Sequence, residues 1–547
     1  MNRLPFRLPI RWALPLAVGA GGLLWLAFPP TGWWPLALVA VAGLSLAVRG
    51  QRRGAAFWLG TLFGVACYVP MLEWLTNVTP GAWLLLAATQ ALATGLLALG
   101  LRTTWALTWW PLAHAALWVL YEALRGRYPL GGFTWGKLAF SQSRSPLTGW
   151  VAVGGAPLLT SVTALAALLL LRALLARDAT RPAVIRRVGL ALLATGLALG
   201  GLVVPTPTTG TGTLTVAAIQ GNVPDLGLDA FSEDMTVVRN HGQVTLALAD
   251  RVDAGTAPRP DVVVWPENST DIDPRIDPSV GAVVDDAARR LDRPVLVGAV
   301  LDRPDGRILN AGLVWDPRTG PGEIYTKQHL VPFGEYVPWR KQLAGRIQML
   351  EHYIPRDFVA GSDSGVLDIA GARLGDVICF EVAYDDLIRD TVRAGAQIIV
   401  VQTNNATYMR GGRTSQTEQQ LEMSRLRAVE HGRSVVVAAT SGVSALITPD
   451  GRTVARSDIF VPDALVAALP LRSALTVADR LGVWPEVAIC LLALGAVVTS
   501  VRRRARVGVP AARGAEGPPD GTVAVGDAPA SDVGPAPVGT GGAERER

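Results

Sequence analysis

The sequence predicts a multi-pass α-helical membrane bundle of about eight helices joined to an α/β domain. Three observations carry that reading. Half of the 547 residues are hydrophobic and only 17% are charged, against roughly 25% in ordinary soluble domains. Uncharged runs near the length of a bilayer span recur through the first 205 residues and once more near the end. A span needs about 20 apolar residues because lipid offers backbone N–H and C=O groups no partner. Between these runs lies a stretch of ordinary composition, where short β-branched segments alternate with helical patterns. Of the 17 Trp, 13 fall in the first 150 residues, so the two parts are built for different solvents. Three Cys cannot form a disulfide scaffold, which excludes that class of fold.

No charge occurs from Trp12 to Val48, and Pro29-Pro30-Thr31-Gly32 divides that run into two spans. Further spans are read at Gly54–Leu72, Trp74–Leu101, Thr103–Tyr121, Ser145–Leu171 and Val188–Val204. The eighth, Leu481–Val501, precedes Arg502-Arg503-Arg504. Loop Lys and Arg residues set the orientation. Arg3, Arg7, Arg11, Arg49, Arg52, Arg53, Arg102, Arg172, Arg177, Arg181, Arg186, Arg187 and the Arg502 cluster share one face if both termini are cytoplasmic. The loop over 124–144 departs from this, with Arg125, Arg127, Lys137 and Arg144 on the outer side. It reads either as side chains snorkelling to headgroups or as a basic mouth for phosphate-bearing lipid. The expected organisation is transmembrane helices one to seven over 1–205, an extracytoplasmic domain over 213–470 and helix eight over 481–502. A Gly/Pro/Ala-rich tail over 507–547 is expected to be disordered and cytoplasmic. Because basic residues sit where topology needs them, the net charge of +5 gives no indication of nucleic-acid binding.

Within 213–470, strands are expected at Leu214–Ile219, Asp261–Trp265, Val295–Val300, Ala311–Trp315, Leu374–Cys379, Gln397–Gln402, Val435–Ala439 and Ala445–Thr448. Helices are expected at Val280–Leu291 and Thr417–Gly432. Chemistry-bearing residues stand at strand ends. Val262–Trp265 runs into Pro266-Glu267, placing a carboxylate just past a sheet edge, where α/β sites are commonly built; taken alone, Glu267 is more often a helix N-terminal carboxylate. Lys327 and Glu335 flank a stiff, non-helical segment with Pro332, Gly334 and then Pro338. Cys379 ends an apolar strand, where a lone Cys is by default a small buried hydrophobe. Cys67 and Cys490 follow that default inside expected membrane helices. Polar neighbours at the strand end set Cys379 apart, and the ordered set Glu, Lys, Cys in one domain is a stronger signal than any member.

Trp265-Pro266-Glu267, Lys327 with Leu330-Val331-Pro332-Phe333-Gly334-Glu335, and Cys379-Phe380-Glu381 resemble the Glu–Lys–Cys triad of the nitrilase superfamily. With eight flanking helices, residues 10–502 resemble its membrane branch, the apolipoprotein N-acyltransferases. The resemblance implies an α-β-β-α sandwich at the outer face of the plasma membrane. It also implies an activity: Cys379 takes a fatty acyl chain from a phospholipid as a thioester and passes it to the α-amine of a lipoprotein's diacylglyceryl-cysteine. Glu267 would be the base, Lys327 the oxyanion partner and Glu335 an additional carboxylate orienting Lys327 or the amine. Phe380 and Glu381 follow the nucleophile, with Phe380 where the family often has Tyr. Gln402–Tyr408 resembles an Asn/Asp-rich loop near the pocket, making Asn405 and Tyr408 supporting or substrate-binding candidates. Gln220-Gly221-Asn222-Val223-Pro224 also matches, without the Trp that some members carry shortly afterwards. Arg427 and Glu430 match an Arg-Ala-x-Glu pattern and are expected to form an ion pair. The long loop over 343–363, with Met349, Leu350, Tyr353 and Ile354, is a candidate lid. No metal-ligand cluster or phosphate loop is visible, so no cofactor or metal is expected. Two alternatives stand beside this one: a membrane-tethered amidase or nitrilase acting on a small amide, and an anchor or partner for a polyprenol monophosphomannose synthase.

Overall fold

The computed structural model describes residues 7–176, 178–223, 235–343 and 354–508. Contacts divide the chain into units 1–502 and 503–547; the described residues of the second belong to the final helix. The expected tail from Val509 onward, the Asp225–Phe231 segment, and Met349, Leu350 and Tyr353 of the candidate lid lie outside the described residues.

Seven helices come first: α1 (Ile10–Leu26), α2 (Pro35–Ala47), α3 (Arg53–Met71), α4 (Pro80–Thr104), α5 (Trp110–Arg125), α6 (Val151–Leu175) and α7 (Arg181–Gly200), with a final helix at Trp484–Gly508. Among the described residues, five segments are long and apolar enough to cross a membrane: Arg53–Met71, Pro80–Thr104, Thr148–Leu175, Arg181–Val203 and Trp484–Ala505. α1 and α2 are shorter apolar helices. Large apolar side chains stay exposed along α4 (Leu84, Leu85, Leu92, Leu96), α7 (Ile185, Leu192, Leu193) and the final helix (Leu491, Leu494). That is the surface a bilayer covers, since lipid gives such residues no reason to turn inward.

Small residues let α3 and α4 approach closely. A Cβ on Gly60 would lie 2.4 Å from Ala98 Cβ, and one on Gly64 would lie 2.6 Å from Ala91 Cα. This is the small-xxx-small packing that holds helices together where the hydrophobic effect is absent. Helix α6 is broken near its start, where Gly154 and Gly155 leave helical geometry and Gly155 takes φ 73° and ψ −177°. That conformation is open essentially only to glycine.

The α/β domain is built from two six-stranded sheets. The strands are β1 (Gly212–Gln220), β2 (Val262–Val264), β3 (Val295–Asp302), β4 (Ile308–Asp316), β5 (Gly320–Thr326), β6 (Val366–Ile369), β7 (Ala372–Ile378), β8 (Ile398–Thr403), β9 (Ser434–Ala439), β10 (Ala445–Ile447), β11 (Thr453–Arg456) and β12 (Asp463–Leu471). One sheet runs β12-β1-β2-β3-β4-β5 and the other β11-β10-β9-β8-β7-β6. The side-chain period of two sorts each strand between layers. Val216 and Ala218 of β1 meet Leu374 and Ile378 of β7 and Ile398 and Val400 of β8 between the sheets. Ala217 and Ile219 face the helix layer of α8 (Met235–Asp253) and α9 (Pro278–Leu291). Val377, Ile399 and Val401 face the other way, into a core shared with α10 (Asp385–Arg393), α11 (Ser415–His431) and the membrane helices. The order is α-β-β-α, with the outer helical layer continuous with the bundle.

The join is polar and buried. Ala156 N–H, freed by the α6 break, donates to Glu430 Oε1 of α11 at 3.2 Å. Arg427 pairs with Glu430 at 2.5 Å and with Asp385 at 2.7 Å, and Lys137 of the 124–144 loop reaches the same Asp385 at 2.7 Å. Arg144 pairs with Glu422, and Arg127 with Glu486 of the final helix at 2.6 Å. Arg125 is buried, donating to the Phe133 and Trp135 carbonyls and to Gln90. All four cations of the 124–144 loop have protein partners, far away in sequence for three of them; Arg125 and Lys137 are buried, while Arg127 and Arg144 stay about half exposed beside their carboxylates.

Replacing Gly155 by Ala forces a non-glycine residue into this backbone and sets its Cβ 3.0 Å from Glu430 Oε1. Such a strained residue costs about 1–3 kcal/mol. Thermal unfolding of the detergent-solubilised protein should show a clear drop in Tm for Gly155→Ala. Gly196→Ala, in α7 with nothing within 4 Å of its Cβ, should leave Tm unchanged or raised.

Candidate active site

Four side chains from three strand ends meet at one edge of the sandwich. Glu267 follows β2, Lys327 follows β5, Glu335 stands at the far side of the Pro332–Gly334 turn, and Cys379 follows β7. Phe333 takes φ 60° in that turn, whose closure is marked by Glu335 N–H donating to Val331 O at 2.8 Å. Lys327 is 1% exposed, and its Nζ donates to Glu267 Oε1 at 3.0 Å and to Glu335 Oε1 at 2.8 Å. Asn310 of β4 donates its Nδ2 to the same two oxygens, at 2.8 and 2.7 Å. The remaining carboxylate oxygens accept from backbone: Glu267 Oε2 from Asn404 N–H at 2.9 Å, and Glu335 Oε2 from Val331 N–H at 2.7 Å. Two buried carboxylates sharing one ammonium need every lone pair satisfied to offset desolvation.

Cys379 takes φ 57°, rare for a non-glycine residue and confined to sites whose surroundings enforce it. The turn that follows, Cys379–Ala383, is a single 3-10 segment whose first N–H groups have no intrahelical acceptor. The thiol accepts from Thr403 Oγ1 at 3.4 Å and lies close enough to Glu267 for that carboxylate to act on its ionisation. Gln420 of α11 donates to the Cys379 carbonyl at 3.1 Å.

Burial first, then the nearby charge of Glu267, push the Cys379 thiol up to about 12, against the pull of Lys327. Both effects favour the neutral thiol, so the nucleophile needs a base nearby, and Glu267 is the nearby carboxylate. Burial would drag Lys327 down, but Glu267 and Glu335 together hold it well above the ordinary lysine value. The ammonium stays charged and can meet an oxyanion.

Among the other candidates, Glu381 is fully buried and faces structure, accepting from Gln328 N–H (2.7 Å), His329 N–H (3.0 Å), Ile378 N–H (2.7 Å) and the Tyr325 hydroxyl (2.9 Å). It ties the lysine loop to the cysteine strand. Phe380 stacks on Phe133 and Trp135, each with centroids 5.7 Å away, so the 124–144 loop packs against the residue that follows Cys379. Tyr408 packs edge-on against Trp74 at 5.0 Å, and its carbonyl accepts from Asn77 at 2.9 Å. Asn405 is buried and donates to Gln416 and Gln420 at 2.7 and 2.8 Å, acting on the cysteine through Gln420. Sequence reasoning missed Asn310, Thr403, Gln420, Phe133 and Trp135. Only Asn310, a polar residue next to an apolar run, carried a local signal.

The family model described as "Apolipoprotein N-acyltransferase N-terminal domain" matches residues 20–216, and that described as "Carbon-nitrogen hydrolase" matches residues 240–478. The chain is 39% identical over 510 residues to an apolipoprotein N-acyltransferase of Mycolicibacterium smegmatis, covering 89% of this chain and 84% of that protein. It is 33% identical over 525 residues to one of Azotobacter vinelandii, covering 90% and 96%. A solved amidase from Nesterenkonia sp. aligns at 18% identity with a TM-score of 0.34, covering 49% of this chain and 95% of that one.

Asn310→Ala removes a donor shared by two buried carboxylates. A hydrogen bond to a charged group is worth about 1.5–3 kcal/mol, so covalent modification of Cys379 by an activated ester should slow roughly 10- to 100-fold. The stopped-flow rate of adduct formation checks this; a rate within experimental error of wild type would remove Asn310 from the site.

Proposed function

Because the chain belongs to the apolipoprotein N-acyltransferase family, we propose that it carries a fatty acyl chain from a phospholipid, through a thioester on Cys379, to the N-terminal α-amine of diacylglyceryl-cysteine in apolipoproteins. The observation that carries this reading is the convergence of Cys379 with Glu267, whose carboxylate shares the Lys327 ammonium with Glu335. In the first half-reaction the Cys379 sulfur forms a bond to the ester carbonyl carbon as its proton passes to Glu267. Lys327 and the Phe380 N–H receive the developing oxyanion. Collapse breaks the ester C–O bond, and Glu267 returns the proton to the departing lysophospholipid oxygen. In the second, the free amine attacks the thioester, its proton passes through Glu267 to the sulfur, and the amide product leaves. A thioester is open to amine attack without an external energy source.

The distribution of Lys and Arg supports a placement with both termini cytoplasmic and the α/β domain extracytoplasmic in the plasma membrane. The domain limits go with it: helices one to seven over 1–205, the catalytic domain over 213–470 and helix eight over 481–502. The stacking of Phe380 on Phe133 and Trp135 supports lipid substrates over a small soluble amide, because it sets the membrane part beside the residue that follows Cys379. A polyprenol monophosphomannose synthase partner gains no support from the family names and is left out of the reading.

Mass spectrometry of the purified protein mixed with phospholipid should find a fatty acyl adduct on the peptide containing Cys379. Cys379→Ala should abolish both adduct and transfer while the protein still inserts in membranes; full transfer by that variant would overturn the assignment. Glu267→Gln should slow adduct formation by roughly 10²–10⁴. A fusion reporter at residue 450 should respond as extracytoplasmic, and a cytoplasmic response would reverse the topology.

A further inference from the structure

Behind the catalytic residues, between the two sheets, lies a carboxyl group that the chemistry above does not use. Asp376 of β7 is fully buried. Strand parity places it with Leu374 and Ile378 on the inter-sheet face, and Gln402 of β8 shares that face with Ile398 and Val400. The β7–β8 register pairs Asp376 with Val400 and Ile378 with Gln402, so Asp376 and Gln402 are diagonal neighbours. Opposite them, in the other sheet, stands Gly312 of β4. A Cβ there would lie 1.8 Å from Asp376 Oδ2 and 2.9 Å from Gln402 Oε1, so the two oxygens crowd the space that any other residue would fill.

The orientation of the Gln402 amide is fixed by its nitrogen, which donates to the carbonyl of Trp265 at 2.5 Å and of Leu296 at 3.4 Å. Its oxygen is then the amide atom left beside Gly312, where Asp376 Oδ2 also lies. Among the described residues, neither Asp376 oxygen nor Gln402 Oε1 has a well-formed hydrogen bond, and only the Val377 N–H comes near the carboxyl. Two acceptors facing one another in a dry interior are unfavourable unless one carries a proton. The amide has none to offer at its oxygen, and the carboxyl can take one up. The charged groups that act on Asp376 are Glu381 and Glu267, and both oppose its ionisation after burial has already done so.

We propose that Asp376 is a protonated carboxylic acid in the working enzyme. It donates to Gln402 Oε1, and through Gln402 Nε2 it holds the Trp265 carbonyl and so sets the position of Glu267. Asp376 is a positioning residue: it touches no substrate, and it links the strand of the nucleophile to the strand of the base. Gly312 is the space that admits the link.

The inference rests on Glu267 and Cys379 acting as proposed, and the test separates the two readings. An infrared difference spectrum of the full-length wild type against Asp376→Asn, in detergent at neutral pH, should contain a protonated-carboxyl stretch; its absence overturns the proposal. Asp376→Asn keeps a donor toward Gln402 Oε1 and should form the acyl-enzyme at a rate close to wild type. Asp376→Ala removes the donor and should slow that step by about tenfold or more, with KM for phospholipid unchanged. Asn as slow as Ala would overturn the proposal. Should the wild type form no acyl-Cys379 at all, the catalytic reading fails, while the infrared band still decides whether Asp376 holds its proton.

Discussion

An ammonium group held between two buried carboxylates organises this site. Lys327 alone would be expensive to bury, and so would either Glu267 or Glu335. Together they persist because Asn310, Asn404 and Val331 donate to what Lys327 leaves unsatisfied. Burial first and then the nearby charge of Glu267 oppose ionisation of the Cys379 thiol, while Lys327 favours it. In the proposed mechanism a proton passed to Glu267 leaves Lys327 freer to serve the oxyanion, so nucleophile activation and oxyanion stabilisation would be successive states of one charge arrangement.

That arrangement is held by a domain which does not end at the membrane. Helix α11 is buried almost along its whole length although it is rich in polar residues. Its Gln420 holds the Cys379 carbonyl, its Arg427 holds the Val382 carbonyl at 2.9 Å, and its Gln419 accepts from Trp135 and donates to the Pro29 carbonyl. One helix therefore fastens the turn after the nucleophile to loops of the membrane bundle. The α6 break, with its freed N–H capped by Glu430, belongs to the same joint.

Sequence legibility followed burial. The eight strands expected from β-branched runs are the interior strands of the two sheets, covered on both faces and so continuous in their apolar character. The four that escaped notice, β5, β6, β11 and β12, are the four edges. Edges carry Gly, Pro and charge because an unpaired row of backbone groups must be kept from pairing elsewhere; Gly320-Pro321-Gly322-Glu323 in β5 and Pro470 in β12 show it. Glu267, Lys327, Glu335 and Cys379 were legible because Pro, Gly and strand ends mark them locally. Thr403, Gln420, Phe133 and Trp135 were not, since their roles arise from contacts across the fold. The ion pairs of Lys137, Arg144 and Arg127 were hidden for the same reason: their carboxylate partners, Asp385, Glu422 and Glu486, lie hundreds of residues away.

The central claim is that Cys379 rests as a thiol beside Glu267 and a charged lysine. A pH titration of thiolate ultraviolet absorbance, taken as the difference between wild type and Cys379→Ser so that Cys67 and Cys490 cancel, tests it most directly. The account predicts no difference signal at neutral pH and none on passing the roughly 8.5 of an ordinary thiol. A full thiolate signal at neutral pH would contradict it, because the nucleophile would then be ionised by its surroundings and Glu267 would have no proton to take.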